Sequence, residues 1–223
     1  MKFDEIEPLM SLEAEHQPVF NAPAPALVVL VVIVAGYGLQ TFFSAGQILP
    51  RWGASGAALA AGHPETLITA IFLHGSWAHA LMNGAFGLAF ATPVARFFGS
   101  RGRGWLAFAL FYVVGGAVAN LAFILMHSRD VGPLVGASGA VSALAAAAAR
   151  IAAGRGEVGP LTSPLVLGMG GGWIITNLLV AILGFSPGSG GAQVAWQVHL
   201  VGFALGLFLI GPLGRVAGRA RVD

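Results

Sequence analysis

Residues 105–126 read WLAFALFYVVGGAVANLAFILM, a run of 22 residues without one charged side chain. A helix that crosses a membrane needs about 20 mostly apolar residues, each adding a rise of about 1.5 Å. The rest of the chain has the same character, since 57% of its 223 residues are hydrophobic and 9% are charged. An average soluble domain has about 25% charged residues. The sequence therefore predicts an all-α membrane protein.

Five further apolar segments lie on either side of this run. The six segments cover residues 26–45, 76–95, 105–126, 135–153, 164–185 and 194–213. We interpret them as six transmembrane helices in one compact bundle, with the domain covering residues 26–214. A polar, acidic tail (1–25) precedes the domain and a basic tail (215–223) follows it. The first tail lacks the features of a cleaved secretory signal, so we expect it to be retained.

Residues 46–75 form the longest connection between two of these segments. The stretch mixes polar, proline and apolar residues, and it is too long for a simple turn. We expect a structured, partly embedded loop on the outer side of the membrane.

The basic residues predict the orientation of the bundle. With the N-terminus in the cytoplasm, only Arg51 and Arg129 fall in outer loops, and nine other basic residues fall on the inner side. Inner loops of membrane proteins carry an excess of Lys and Arg. The distribution therefore favours six spans with both termini in the cytoplasm. The nine inner residues are Lys2, Arg96, Arg101, Arg103, Arg150, Arg155, Arg215, Arg219 and Arg221.

Composition excludes several classes of function and indicates a source. The chain has no cysteine, so disulfides and thiolate metal sites are excluded. The pI is about 9.7, but a net charge of +2 with scattered arginines does not form a surface for nucleic acid. Arginine far outnumbers lysine, as in GC-rich bacterial genomes. We expect a multi-pass protein of a bacterial inner (plasma) membrane.

The apolar segments offer serine and histidine but almost no charge, with Arg150 as the one exception. Proton and cation transporters usually carry a carboxylate within a span. An intramembrane aspartyl protease would need two such carboxylates, and a zinc protease would need a motif such as His-Glu-x-x-His. None of these features is present.

Ser138 and His199 lie near the starts of the fourth and the sixth segments, about 4–6 residues in. In the orientation above, both lie about 6–9 Å below the outer surface at about 1.5 Å per residue. Equal depth would let the histidine accept the proton of the serine hydroxyl, as in serine nucleophile chemistry. With no acid available, the arrangement would be a Ser-His dyad. Gly202 and Gly206 are spaced to let the sixth helix pack closely against the fourth, which begins with small residues such as Gly139.

Two other pairs of residues share helical faces. His79 and Asn83 are four residues apart at the start of the second segment, and with the Ser138 amide they could stabilise an oxyanion. Trp173 and Asn177 share a face of the fifth segment, and we interpret these two as packing residues.

Taken together, these residues resemble the rhomboid family of intramembrane serine proteases. The resemblance implies that Ser138 is the nucleophile, that His199 is the general base, and that His79, Asn83 and the Ser138 amide form the oxyanion hole. It also implies a supporting role for His74, no metal or other cofactor, and transmembrane proteins as substrates. The motifs are His74-x4-His79-x3-Asn83, Gly136-x-Ser138-Gly139 and His199-x2-Gly202-x3-Gly206.

The sequence departs from the family pattern at two places. Many bacterial rhomboids carry a Trp-Arg pair where this chain has Glu65 and Thr66, and an aromatic residue that stacks on the catalytic histidine where it has Ser142.

We predict an intramembrane serine endopeptidase that cuts substrates in or near the outer part of their spans. The alternatives are an inactive rhomboid-like protein that binds membrane clients and a small-solute transporter. The substrate, the oligomeric state and the regulation cannot be derived from the sequence.

The orientation can be tested because the chain has no cysteine. Single cysteines at Asp130 and Gly190 should react from outside with an impermeant thiol reagent. Cysteines at Ser100 and Gly156 should react only after the membrane is opened. Labelling in the reverse order would place the Ser138 end of the bundle in the cytoplasm.

Overall fold

The structure is a computed structural model that describes residues 21–127, 132–184 and 194–218. Within these ranges all the regular secondary structure is helical. The helices are α1 (Ala24–Gln40), α2 (Ala45–Trp52), α3 (Gly56–Ala60), α4 (Thr66–Thr69, followed by a 3₁₀ turn Ala70–Phe72), α5 (Trp77–Phe98), α6 (Gly102–Met126), α7 (Ser138–Ala153), α8 (Pro164–Leu183) and α9 (Trp196–Val216).

Each of the six apolar segments contains one long helix, so the all-helical prediction is confirmed. In length and apolar character, α6, α8 and α9 could each cross a membrane, while α1 and α7 are apolar but shorter. Six spans with cytoplasmic termini stay a prediction. Residues 1–20 of the acidic tail, residues 219–223 of the basic tail, and the labelling positions Asp130 and Gly190 lie outside the described residues.

Two helix boundaries differ from the prediction for a physical reason. The first segment was expected to continue to residue 45, but α1 ends at Gln40 and Thr41 donates its hydroxyl to the Gly38 carbonyl at 2.7 Å. In the sequence, the apolar run extends past the end of the helix because Phe42 and Phe43 follow. Both side chains are exposed in the turn. The fourth segment was expected to begin at residue 135, but α7 begins at Ser138.

Helix α7 lies at the centre of the bundle. It packs against α5, α6, α8 and α9, and all its residues from Gly139 to Ala149 are buried. Alanine dominates this stretch, so the helix is thin and four neighbours can approach its backbone. By contrast, α8 contacts mainly α7 and α9, and it exposes large side chains such as Ile175, Leu179 and Ile182. A membrane accounts for that apolar surface, which a soluble monomer rarely exposes.

The closest helix contact joins α7 to α9 through glycines. A Cβ atom added at Gly202 would collide with the carbonyl oxygen of Gly139, and one added at Gly206 would collide with that of Ala143. Residues 139 and 143, like 202 and 206, are one helical turn apart. The two helices therefore run parallel and in register, which sets their first turns at the same level.

The loop between α1 and α5 braces the segment that precedes α7. Ala54 and Leu134 exchange two backbone hydrogen bonds of 3.0 and 2.8 Å, and Gly136 donates to the Ala70 carbonyl at 2.9 Å. The Asn120 amide of α6 holds the same loop through the Leu67 carbonyl at 2.9 Å. These bonds hold residues 134–136 outside the helix, which explains why α7 begins three residues later than the apolar run.

The close contact between α7 and α9 predicts that one methyl group added at Gly206 will lower the stability of the protein. Gly206→Ala should lower the unfolding midpoint in detergent, because overpacking a close contact typically costs about 1–3 kcal/mol. The matched control is Gly168→Ala in α8, where an added Cβ meets nothing within 4 Å. Both changes gain about 1 kcal/mol of intrinsic helix propensity, so only the packing differs. Equal midpoints for the two variants would contradict the close contact.

Candidate active site

Ser138 is the first residue of α7 and lies beside the ring of His79. Gly136, two residues earlier, has φ of 129°, a backbone conformation that favours glycine. A Cβ atom at Gly136 would lie 2.8 Å from Cε1 of His79 and 3.9 Å from Oγ of Ser138. Glycine is therefore required at position 136 for two reasons. The backbone conformation there favours glycine, and a side chain there would collide with the His79 ring, which lies next to Ser138.

His199 reaches the same end of the bundle from α9. It precedes Gly202 by one helical turn, while Ser138 precedes Gly139 by one residue, and these two glycines are in contact. The neighbouring Val198 packs on Gly139, where an added Cβ would lie 2.9 Å from its Cγ1. The ring of His79 lies at the same end of the bundle, next to Gly136. The structure therefore brings Ser138, His79 and His199 to one level.

Asn83 is buried one turn below His79 on α5. Its Nδ2 atom donates to the His79 carbonyl at 3.1 Å. One of its two amide hydrogens is therefore committed within the helix, and the second remains for another acceptor. The helix itself begins with a cap, because the Ser76 hydroxyl accepts from the His79 backbone N–H at 3.1 Å.

His74 is fully buried between α1, α5 and the segment before α7. The Gln40 side chain clasps its backbone, donating to the His74 carbonyl at 2.8 Å and accepting from its N–H at 3.0 Å. Its Nε2 accepts from the Ala137 N–H at 3.4 Å, and its ring meets His79 edge-on at a centroid distance of 5.0 Å. His74 thus contacts both the oxyanion candidate and the residue preceding Ser138.

The two departures from the family pattern have local explanations. Ser142 is buried and its hydroxyl donates to the Ser138 carbonyl at 2.7 Å, so it does not replace an aromatic ring on His199. Glu65 is exposed, and its Oε1 atom forms a hydrogen bond of 2.9 Å with Nδ1 of His63. A backbone hydrogen bond and then this contact lower the pKa of the Glu65 carboxyl below its usual value. Thr66 is buried and donates its hydroxyl to the His63 carbonyl.

Asn177 and Trp173 are the residues that the sequence interpretation missed. We interpreted both as packing residues, but Oδ1 of Asn177 lies 2.7 Å from Nδ1 of His199. The indole Nε1 of Trp173 donates to the His199 carbonyl at 3.3 Å. The signal in the sequence was their spacing of four residues, which puts two side chains that can form hydrogen bonds on one face of a mostly apolar helix.

Comparison with known families agrees with this arrangement. The model of the Rhomboid domain matches residues 61–216, which include all the residues above except Gln40. The chain belongs to the rhomboid family. No curated protein matches it. Rhomboids are in general intramembrane serine proteases that act on membrane proteins, and the residues gathered around Ser138 are of the types that such chemistry uses.

The two hydrogen bonds between the Gln40 side chain and the His74 backbone predict that the stability of this rhomboid depends on α1. Gln40→Met keeps the side-chain length but leaves a buried N–H and a buried carbonyl without partners, and each loss costs about 1–3 kcal/mol. The unfolding midpoint in detergent should fall. Gln47→Met is the matched control, because Gln47 is exposed in α2. If both variants unfold like the wild type, the clasp does not stabilise the fold.

Proposed function

We propose that this rhomboid is a serine endopeptidase that cleaves transmembrane proteins within or near the outer part of their spans. The observation that carries the proposal is the shared level of Ser138 and His199, which follows from the glycine contact between α7 and α9. A serine hydroxyl becomes a useful nucleophile when an adjacent base accepts its proton. His199 is the candidate for that base.

The reaction would have two stages. Oγ of Ser138 attacks the carbonyl carbon of the scissile peptide while His199 takes the hydroxyl proton. The imidazolium then gives this proton to the departing amine, which leaves an acyl-enzyme ester on Ser138. In the second stage His199 takes a proton from water, the resulting hydroxide attacks the ester, and Ser138 recovers its proton as the acid leaves.

The negative charge that develops on the carbonyl oxygen needs hydrogen-bond donors. Ser138 is the first residue of α7, so its backbone N–H has no partner within the helix. The ring of His79 and the second amide hydrogen of Asn83 are two further candidates. His74 supports His79 and Ala137 by contact. Removal of one such donor typically lowers the rate by about 10²–10³.

The substrate class follows from where Ser138 lies in the bundle. A spanning helix keeps its peptide carbonyls in internal hydrogen bonds, because lipid offers no other partner. A segment must unwind before Ser138 can attack it. Glycine and proline lower the free energy of unwinding. We therefore expect them near the outer end of the transmembrane segment in good substrates. The small residues that surround Ser138 also favour small side chains at the cut.

The two alternatives receive less support. An inactive rhomboid-like protein that binds clients has no need of a serine and a histidine at matching depth. A small-solute transporter is not favoured by membership of the rhomboid family. No cofactor enters the proposed reaction.

The dyad can be tested with purified protein in proteoliposomes and a transmembrane substrate. Ser138→Ala should abolish cleavage, and His199→Ala should be nearly as severe. The double variant should be no worse than either single variant, because residues that act as a unit are not additive. Reaction with a serine-directed phosphonate should disappear in Ser138→Ala.

The control for this experiment is folding. Ser138→Ala should insert in the membrane and unfold at a midpoint close to that of the wild type, since only one oxygen atom is lost. His199→Ala removes a ring and leaves Asn177 without its partner, so its insertion and helix content are checked separately. Substantial turnover by Ser138→Ala, clear of host proteases, would refute the assignment.

A further inference from the structure

We propose that Asn177 is a positioning residue that fixes the ring of His199 with its proton on Nδ1. The catalytic meaning of this inference rests on the proposed function, whereas the hydrogen bond itself does not. Asn177 is 4% exposed, and its Oδ1 atom lies 2.7 Å from Nδ1 of His199. This is a short, partly buried contact between two neighbouring helices, α8 and α9.

The amide of Asn177 can face only one way. Its Nδ2 group donates to the Trp173 carbonyl at 2.8 Å, and a carbonyl oxygen can only accept. The NH₂ group must therefore point back along α8, which leaves the oxygen toward His199. The usual ambiguity between the two ends of an asparagine amide is removed by this bond.

The orientation of the amide determines the tautomer of His199. Oδ1 has no proton to give, so Nδ1 of the imidazole must be the donor in the 2.7 Å contact. In a neutral ring the second nitrogen, Nε2, is then unprotonated. A histidine can serve as a general base only through such a free nitrogen, so Asn177 keeps His199 in the form that the reaction requires.

Helix α8 holds His199 at a second point. Nε1 of Trp173 donates to the His199 carbonyl at 3.3 Å. The Trp173 ring also stacks on Phe203 of α9, with centroids 5.5 Å apart and an angle of 25° between the planes. Backbone and side chain of His199 are therefore both fixed by residues one turn apart on α8.

Nothing else among the described residues does this for the imidazole. No aromatic ring there is in stacking contact with His199, and the hydroxyl of Ser142 is turned to the Ser138 carbonyl. A neutral amide also suits the apolar surroundings, because a carboxylate within a span is costly. Asn177 thus supplies the orienting role of a third catalytic-site member without a charge.

The experiment compares three variants of the whole protein with the wild type, using cleavage of one transmembrane substrate. Asn177→Leu keeps the branched shape and the number of side-chain heavy atoms but removes the acceptor, and kcat should fall by about 10²–10⁴-fold, the range that general-base catalysis contributes. KM should stay within about twofold, since Asn177 does not touch substrate. Thr176→Val, on the exposed side of the same turn, is the control and should keep the wild-type kcat.

Asn177→Asp separates positioning from packing. Its carboxylate still accepts from Nδ1, so kcat should recover to within about tenfold of the wild type. A negative charge at this place also stabilises the protonated ring. The acidic limb of the pH–rate profile should therefore move to higher pH in Asn177→Asp. If residue 177 did not contact His199, this substitution would leave the profile in place.

A second readout does not depend on turnover. In protein labelled with ¹⁵N-histidine, the nitrogen shifts of His199, assigned with His199→Gln, should report the Nδ1–H tautomer. Asn177→Leu should show a mixture of tautomers in protein that remains folded. An Nε2–H tautomer in the wild type, or an unaltered kcat and tautomer in Asn177→Leu, would overturn the inference. A locked tautomer in a wild type that cleaves no substrate would refute the proposed function and leave the inference standing.

Discussion

The contact between Gly139 and Gly202 is the constraint on which the rest of the site depends. With no side chain at either position, the backbones of α7 and α9 touch, and the first turns of both helices are held at one level. Close packing of this kind replaces the hydrophobic effect, which does not draw helices together in lipid. A larger residue at Gly202 would collide with the backbone of Gly139 and push apart the helices that carry the nucleophile candidate and the base candidate.

Three separate parts of the chain converge on the start of α7. The loop between α1 and α5 pairs with Leu134 and Gly136, α1 reaches Ala137 through Gln40 and His74, and α5 places His79 over Gly136. None of these contacts involves a charged group. The site is thus built from backbone hydrogen bonds and histidine rings, which suits a region where an unpaired ion would be costly.

The sequence predicted the helices and the shared level of Ser138 and His199, but not the partner of His199. Apolar run length is a local property, so the six helical segments were predictable, although Phe42 and Phe43 extend the first apolar run past the turn at Thr41. The shared level of Ser138 and His199 was predictable because depth follows from residue count. The bond between Asn177 and His199 depends on how α8 is rotated relative to α9, and no local pattern in either helix encodes that angle.

The length of α7 has a consequence for the supply of water. Arg150, in the last turn of α7, donates to the carbonyls of Gly159 and Leu207, and its charge belongs at the membrane boundary. The helix has 16 residues and is about 24 Å long, whereas the hydrocarbon layer is about 30 Å thick. If Arg150 marks the inner boundary, as the charge distribution predicts, the deficit of about 6 Å would fall at the Ser138 end of the helix. A depression of that depth would admit bulk solvent to the proposed hydrolytic centre without any channel through the protein.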